Sequence, residues 1–492
     1  MKQVCVIGAG LGGLALAIRL QSAGIATTLV EAREQAGGRA HVWQREGFTF
    51  DAGPTAITDP AALEELWALS GGRLADDVEL MPVAPFYRLH WGDGSHFDYG
   101  NDEPRLRAEI ARLAPGDVGG YEDFAQFAAE AYDEYHARPP GAFLSFADML
   151  RAAPGLVKHQ AWRSLYGRAA GYVKSEKLRQ ALSFGVLLRG GNPMATPAIA
   201  AAAHHLEKTG GVWWPRGGTN RLVAGMVALF ERLGGRLRLG DGVLRIHTIG
   251  NRASEVETRS GWRERFDAVA SNADLVHTYR DLLADSPRAR PMADKLARKR
   301  WSPGAFVLHF GLEGSWPGVP HHTILFGPRF KGLMADIFEH GVLPRDMLVY
   351  LHHPTITDAS LAPPGMSTFY AMVPVAHMGK LPIDWAEIGP VLAKRILDEV
   401  GLRFIPDIHD RIVTSFHYTP ADFGADLNAH VGTAFGLEPC LSQSGWLRPH
   451  NRDDVLANVY LVGASTSPGA GVAGVVASAR VTAGLIQADL RF

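Results

Sequence analysis

The chain has 492 residues, is 47% hydrophobic, and balances 49 basic against 51 acidic side chains for a net charge of −2. That length allows about three domains at ~150 residues each, and the apolar content supplies their cores. The even charge excludes the general basic bias of a nucleic-acid binder, and two cysteines, Cys5 and Cys440, exclude a disulfide framework because Cys5 sits in an expected buried strand.

The first predicted elements are a strand at Val4–Ile7, a turn, and a helix from Leu14 to Leu20. Gly8, Gly10 and Gly13 stand in G-x-G-x-x-G spacing across the turn, with Leu11 and Gly12 between them. The first glycine permits the turn, the second lets the backbone approach a pyrophosphate, and the third allows close packing, while the helix N-terminus attracts phosphate charge. A second strand, Thr27–Val30, leads to Glu31, placed to accept from ribose hydroxyls and to repel a 2′-phosphate. This pattern predicts a dinucleotide other than NADP. The apolar N-terminus runs straight into this turn and is expected to belong to the fold rather than to a removable leader. No uninterrupted apolar run reaches the ~18 residues of a membrane span, since Arg19 and Arg480 break the nearest candidates.

Gly37, Gly38 and Arg39 follow, and then GFTFDAGPTAIT alternates like a strand and breaks at Asp51, Gly53 and Pro54, just before Thr55. Strand-like PFYRLHW and SHFDYG around Gly-Asp-Gly predict a hairpin near 82–101. From about 104 to 209 the pattern is mainly helical. Ser145 and Asp148 are spaced as a capping box, with Arg151 three positions on along the same helical face. Between Lys158 and Arg179, six basic residues (Lys158, Arg163, Arg168, Lys174, Lys177, Arg179) face only Glu176, with Trp162, Tyr166 and Tyr172 interleaved. Such a stretch suits either an anionic membrane surface or a solvated helix face with its aromatic side in the core.

A further turn, a glycine-bearing helix start and a helix are expected in KTGGVWWPRGGTNRLVAGMVALFERLGG, with strands returning through Ser271. The pairs His204-His205, His321-His322 and His352-His353 are not expected to bind metal, because neighbours on a strand face opposite ways and no metal-ligand spacing accompanies them. Near the end, strand Val459–Val462, Gly463, Gly469 and Gly471 lead into a helix beginning near Val472, whose positive end suits a site of developing negative charge.

In order and spacing, VIGAGLGGLALAIRL, the Gly37-Gly38-Arg39 run, GFTFDAGPTAITDP, FLSFADMLRAAP, LLRGGNP, VWWPRGGTN, ASNADLVHTYRDLL, HHTILFGPRF, RPHNRD and YLVGASTSPGAGVAGVVASARVTAGL resemble the bacterial phytoene desaturases, FAD-dependent carotenoid enzymes related to amine oxidases, over nearly the whole chain. The resemblance implies an α/β fold: a discontinuous Rossmann-type FAD-binding domain, a mixed substrate-binding domain and a helical membrane-associating insert. The expected boundaries are 1–80, 210–300 and 440–492 for the FAD domain, 81–103 and 301–439 for the substrate domain, and 104–209 for the insert. It also places Gly38, Arg39, Gly53, Pro54, Thr55, Val243, Gly463, Gly471 and Val472 around FAD, with Asp148 and Arg151 as catalytic candidates. The chain departs from the family run at Ser465, Ser467 and Val472-Ala473.

The activity so implied is desaturation of 15-cis-phytoene by successive hydride and proton removal, most often in four steps to lycopene. The implied partners are phytoene and partly desaturated carotenes, a lipid surface on the cytoplasmic side, and oxygen or a quinone as electron acceptor. A flavin-dependent carotene isomerase, a desaturase of another carotenoid, an amine oxidase and a non-enzymatic isoprenoid carrier share parts of the pattern. Product mass separates the first of these, and intact flavin motifs oppose the carrier.

Overall fold

The computed structural model describes residues 2–136 and 143–490; the parts of the expected insert and cofactor segments at 137–142 and at the extreme termini lie outside them. One layer is a five-stranded parallel sheet in the order Val459–Leu461, Ala268–Ser271, Gln3–Ile7, Ala26–Val30, Arg236–Arg238. Both faces are covered, so the inner strands read as largely apolar runs rather than as alternation, while the edge strand Arg236–Arg238 is charged. Val4, Val6 and Leu29 face the helices Leu11–Ser22, Thr219–Arg232 and Val472–Leu490. Cys5, Ile7, Val30 and Val269 face the other way, against Tyr279, Leu282 and Leu296.

The second layer is a seven-stranded mixed sheet ordered Ile412–Tyr418, Gly304–Glu313, Met366–Val375, Val349–His352, His322–Leu325, Tyr87–His90, His96–Tyr99. Neighbours are antiparallel except where His322–Leu325 meets Tyr87–His90. The last two strands are the hairpin expected near 82–101. One face of the sheet packs Phe306, Phe310, Leu351 and Phe369 against the helix Trp385–Arg403.

Between 103 and 210 the described chain is helical, from Glu103–Leu113 to Ala202–Gly210. This stretch is not a separate body. Its Phe124, Tyr166, Leu178 and Phe184 share one apolar cluster with Val307, Ile324, Tyr350 and Tyr370 from the other face of the large sheet. Burial of these rings, each worth ~1.5–3 kcal/mol when removed from water, fixes the helices against the sheet and leaves a cavity between the two layers.

Candidate functional site

The cavity, of about 400 Å³, runs from the glycine turn after the first strand to a wall of tyrosines on the large sheet. At its first end, Gly10 precedes the helix Leu11–Ser22 without any side-chain cap, leaving the first helical N–H groups available to an anion. Gly13 cannot carry a side chain, because a Cβ there would stand 2.0 Å from the Gly8 carbonyl oxygen. Glu31 is buried and lines the cavity, accepting from the Ala9 amide at 2.7 Å and the Arg33 amide at 3.0 Å, which orients its remaining lone pairs.

Among the described residues Arg39 donates only a long bond, 3.4 Å, to the Thr433 carbonyl, and its buried Nε has no partner. Burial, above all, pulls its pKa down. A guanidinium held this way beside an uncapped helix end lacks an anion, and a diphosphate supplies one. The residues present therefore fit a flavin dinucleotide.

Of the residues expected around the cofactor, Gly8, Gly10, Leu11, Gly12, Glu31, Gly38, Arg39, Gly53, Pro54, Thr55, Val243, Gly471 and Val472 line this cavity. Gly13 and Gly463 act one layer behind it. Gly13 closes onto Gly8, and Gly463 adopts φ +111°, where a Cβ would stand 2.5 Å from Asn272 Oδ1. Asn272 itself lines the cavity and donates from Nδ2 to the Gly8 carbonyl at 3.3 Å, a contact across 264 residues that no local pattern reveals. The Gly53–Thr55 turn is held from the other layer, by Tyr370 donating to the Gly53 carbonyl at 3.1 Å and by the paired hydroxyls of Thr55 and Tyr350.

The closing loop before Val472 is pinned from behind by Arg448, which is buried and donates at 2.7 Å to both the Thr466 and Ala464 carbonyls. Burial lowers the Arg448 pKa to about 10. Asn451 adds bonds from Nδ2 to the Ser467 carbonyl, Ser478 and Thr482. The RPHN run thus braces the loop in which Ser465 and Ser467 stand, and Ser465 Oγ accepts from the Leu437 amide.

Asp148 and Arg151 are not brought to the cavity. Ser145 and Asp148 form the expected capping box, and both Asp148 oxygens are engaged, by Ser145 and by Arg151 at 2.7 Å. Those hydrogen bonds, led by the Ser145 amide, hold the carboxyl below its usual range. Arg151 is 76% exposed.

The basic stretch after Lys158 is likewise rearranged. Tyr166 is buried and bonded to Glu176, while Tyr172 packs on Phe127 and stacks under Arg168. Of its aromatic residues Trp162 is the exposed one, as are Phe146, Leu150 and Val157 on the preceding helix.

The histidine pairs follow the strand argument only at His352-His353, while His321 and His322 come together at 4.5 Å between ring centres and His204-His205 lies on a helix. His353 faces away and stacks on Phe369, whereas His322 pairs directly with His352 in the sheet and His321 leans in beside them. Their ring nitrogens lie within 4.8 Å of one another, behind Tyr350 and Tyr370. Burial drives the pKa of all three down, to about 4 for His322, so they are neutral. Adjacency in sequence could not reveal this grouping, because strand pairing creates it.

Residues 11–487 match the model of the flavin-containing amine oxidoreductases. The chain is 54% identical over 490 residues to the lycopene-forming phytoene desaturase of a Paracoccus species, covering 99% of this chain and 98% of that one. It is 51% identical over 491 residues to the enzyme of the same name from Pantoea ananas, covering 100% of both. Among solved structures, cyclohexylamine oxidase from Brevibacterium oxydans shares the fold, with a TM-score of 0.62 at 17% identity over 99% of each chain. The chain belongs to the phytoene desaturase family, within the flavin-containing amine oxidoreductases.

Proposed function

We propose that this protein is an FAD-dependent phytoene desaturase that introduces four double bonds in succession to form lycopene. The observation that carries the reading is one continuous cavity that joins an uncapped, glycine-lined helix end and Arg39, whose Nε has no partner among the described residues, to an apolar compartment walled by Leu188, Val307, Met372 and Phe423. A C40 hydrocarbon offers no polar handle, so its binding free energy comes from burial, at ~25 cal/mol per Å² of apolar surface. FAD, when bound, supplies the hydride-accepting chemistry.

This chain's residues do the rest. Glu31 and the turn at Gly8–Gly13 orient the nucleotide, Arg39 and the Leu11 helix end neutralise the diphosphate, and the Val472 helix end favours negative charge at the reacting end. Tyr350 and Tyr370 set the Gly53–Thr55 turn against the substrate side. The segments 1–80, 210–300 and 440–492 then act as the cofactor unit, with 81–103 and 301–439 forming the substrate wall.

Phytoene has negligible solubility in water, so it enters from lipid. Among the described residues no helix is long and apolar enough to cross a membrane. The face that suits a membrane surface is the outward side of the amphipathic helix Phe146–Lys158 with the segment just after it, where Phe146, Leu150, Val157 and Trp162 are all more than half exposed beside Arg151, Lys158 and Arg163. Electrons leave the site to oxygen or a membrane quinone.

The test is to incubate the FAD-loaded protein with phytoene in liposomes and resolve the products by mass. The expected result is carotenes lighter by two, four, six and finally eight hydrogens. Unchanged mass with altered retention would instead mean isomerisation.

A further inference from the structure

Removing a hydride equivalent from one carbon of a saturated bond leaves a proton to be taken from its neighbour, and that proton needs an acceptor inside an apolar cavity. Four carboxyl groups line the cavity: Glu31, Glu207, Asp274 and Asp426. Three are already committed. Glu31 accepts from the Ala9 and Arg33 amides, Asp274 from the Val276, His277 and His430 amides, and Asp426 from the Tyr418 hydroxyl. His277, also in the lining, is bonded to Asp281 at 2.7 Å. Among the described residues the Glu207 carboxyl makes no hydrogen bond and no ion pair.

Its position follows from the fold. Glu207 lies in the cavity lining on the helix Ala202–Gly210, whose last residue abuts Thr58, and its charge acts on Tyr87. The cation nearest in effect is Arg189, at the end of the short helix Phe184–Arg189. Arg189 also lines the cavity, and its aliphatic stem packs at Gly471, where a Cβ would meet Arg189 Cδ at 3.4 Å. Gly471 immediately precedes the Val472 helix, so one arginine connects the neighbourhood of Glu207 to the cofactor end of the site.

Resting on the desaturase reading above, we propose that Glu207 is the proton acceptor of the cavity. As one carbon of a substrate C–C bond loses hydrogen together with its bonding pair to the flavin, the Glu207 carboxylate takes the adjacent hydrogen as a proton, and the pair left behind becomes the new double bond. Two hydrogens leave the substrate in each step, one as hydride and one as proton, and the flavin is the oxidant. The same carboxylate, while still charged, steadies positive charge developing on the polyene.

The electrostatics support this role. Burial raises the Glu207 pKa to about 7, opposed by Arg189, which places it where a group can both accept a proton and release it. The other groups facing it are Tyr87 and Tyr99 from the hairpin, whose hydroxyls burial keeps protonated. On its own helix, His204 is bonded to Tyr99 and Lys208 to Glu103, so neither competes for the carboxylate.

The test compares wild type, Glu207→Gln and Glu207→Asp, each loaded with FAD and mixed anaerobically with phytoene liposomes while flavin bleaching is followed across pH. In wild type, bleaching should rise with pH through a midpoint near 7. Glu207→Gln should keep a normal flavin spectrum and stoichiometry yet bleach roughly 10²–10⁴-fold more slowly, without that pH step. Glu207→Asp should recover part of the rate and a displaced step.

Infrared difference spectra of the loaded, substrate-free protein give a second readout. In an Asp51→Asn background, which removes the other buried carboxyl that titrates near 7, a protonated-carboxyl band titrating near 7 should be present with Glu207 in place and absent in Glu207→Gln. A Gln variant that bleaches at the wild-type rate, or that keeps the same pH step or carboxyl band, would overturn the assignment of Glu207 alone. Wild type that never bleaches with phytoene would overturn the desaturase reading and this role together.

Discussion

The Tyr370 hydroxyl donates to the Gly53 carbonyl at 3.1 Å, joining the large mixed sheet to the turn beside the expected flavin position. The two residues are 317 positions apart, and the bond lies where the two layers face the cavity. Tyr370→Phe leaves that carbonyl short of its donor, which should cost ~1 kcal/mol. Thermal unfolding should show a drop of a few degrees at most, and the flavin-loaded protein should show a larger loss than the flavin-free one, because the turn it steadies serves the cofactor.

Gly13→Ala should abolish flavin retention. The new Cβ would lie 2.0 Å from the Gly8 oxygen, so the strand-to-helix turn must open. The purified variant should be colourless, while circular dichroism shows that its helical content survives. A yellow variant with full stoichiometry would sink this reading of the turn.

Asp51 provides a pH-dependent effect. It is buried, accepts from the Thr219 amide at 2.7 Å through Oδ1, and leaves Oδ2 without a partner. Burial raises its pKa from 3.8 to about 7, against the opposing Thr219 bonds. A carboxyl whose folded pKa exceeds its unfolded value destabilises the fold where it must be charged. That penalty is full above about 7 and vanishes below 3.8. Asp51→Asn, which keeps the Oδ1 acceptor, should therefore melt a few degrees higher than wild type at pH 8, with the difference shrinking as pH falls towards 4. Paired melting curves across that range check the sign.

Arg448→Met should loosen the closing loop. It removes the donor to two buried carbonyls, Thr466 and Ala464, and each orphaned acceptor costs ~1–3 kcal/mol. We expect a lower melting temperature and a flavin affinity weakened by at least ~10-fold, since a few kcal/mol of loop ordering then falls on binding. Fluorescence titration of the flavin-free variant with FAD measures this.

The exposed apolar face of the helix Phe146–Lys158 should govern lipid attachment. Replacing Phe146, Leu150 and Trp162 together by serine should lower partition onto anionic liposomes by ~10-fold or more, given ~1.5–3 kcal/mol per large apolar side chain buried. Melting temperature should change little, because none of the three is buried. Sedimentation with liposomes, with salt varied, separates the apolar contribution from that of Arg151, Lys158 and Arg163.

What the sequence by itself determined is whatever local backbone chemistry dictates. The Gly8–Gly13 turn, Glu31 after the second strand, the Gly53-Pro54 break, the Gly471 approach to the last helix and the Ser145–Asp148 cap are all set by φ angles, short-range spacing and helix ends, and each is found where its pattern indicates. Tertiary structure decided which side chains share a space. Asn272 reaches Gly8, Arg448 braces Thr466, and His322 meets His352 through pairings that period and propensity do not encode.

The same cause moved the candidate chemistry. Asp148 carries the cap it was spaced for and remains at the surface, while Glu207, on a helix with no distinguishing local signature, is turned into the cavity by the packing of that helix against the helix Val118–His136 and the hairpin residue Tyr99. An acid's reactivity depends on its distance from water and from partners, and only the folded chain sets those distances.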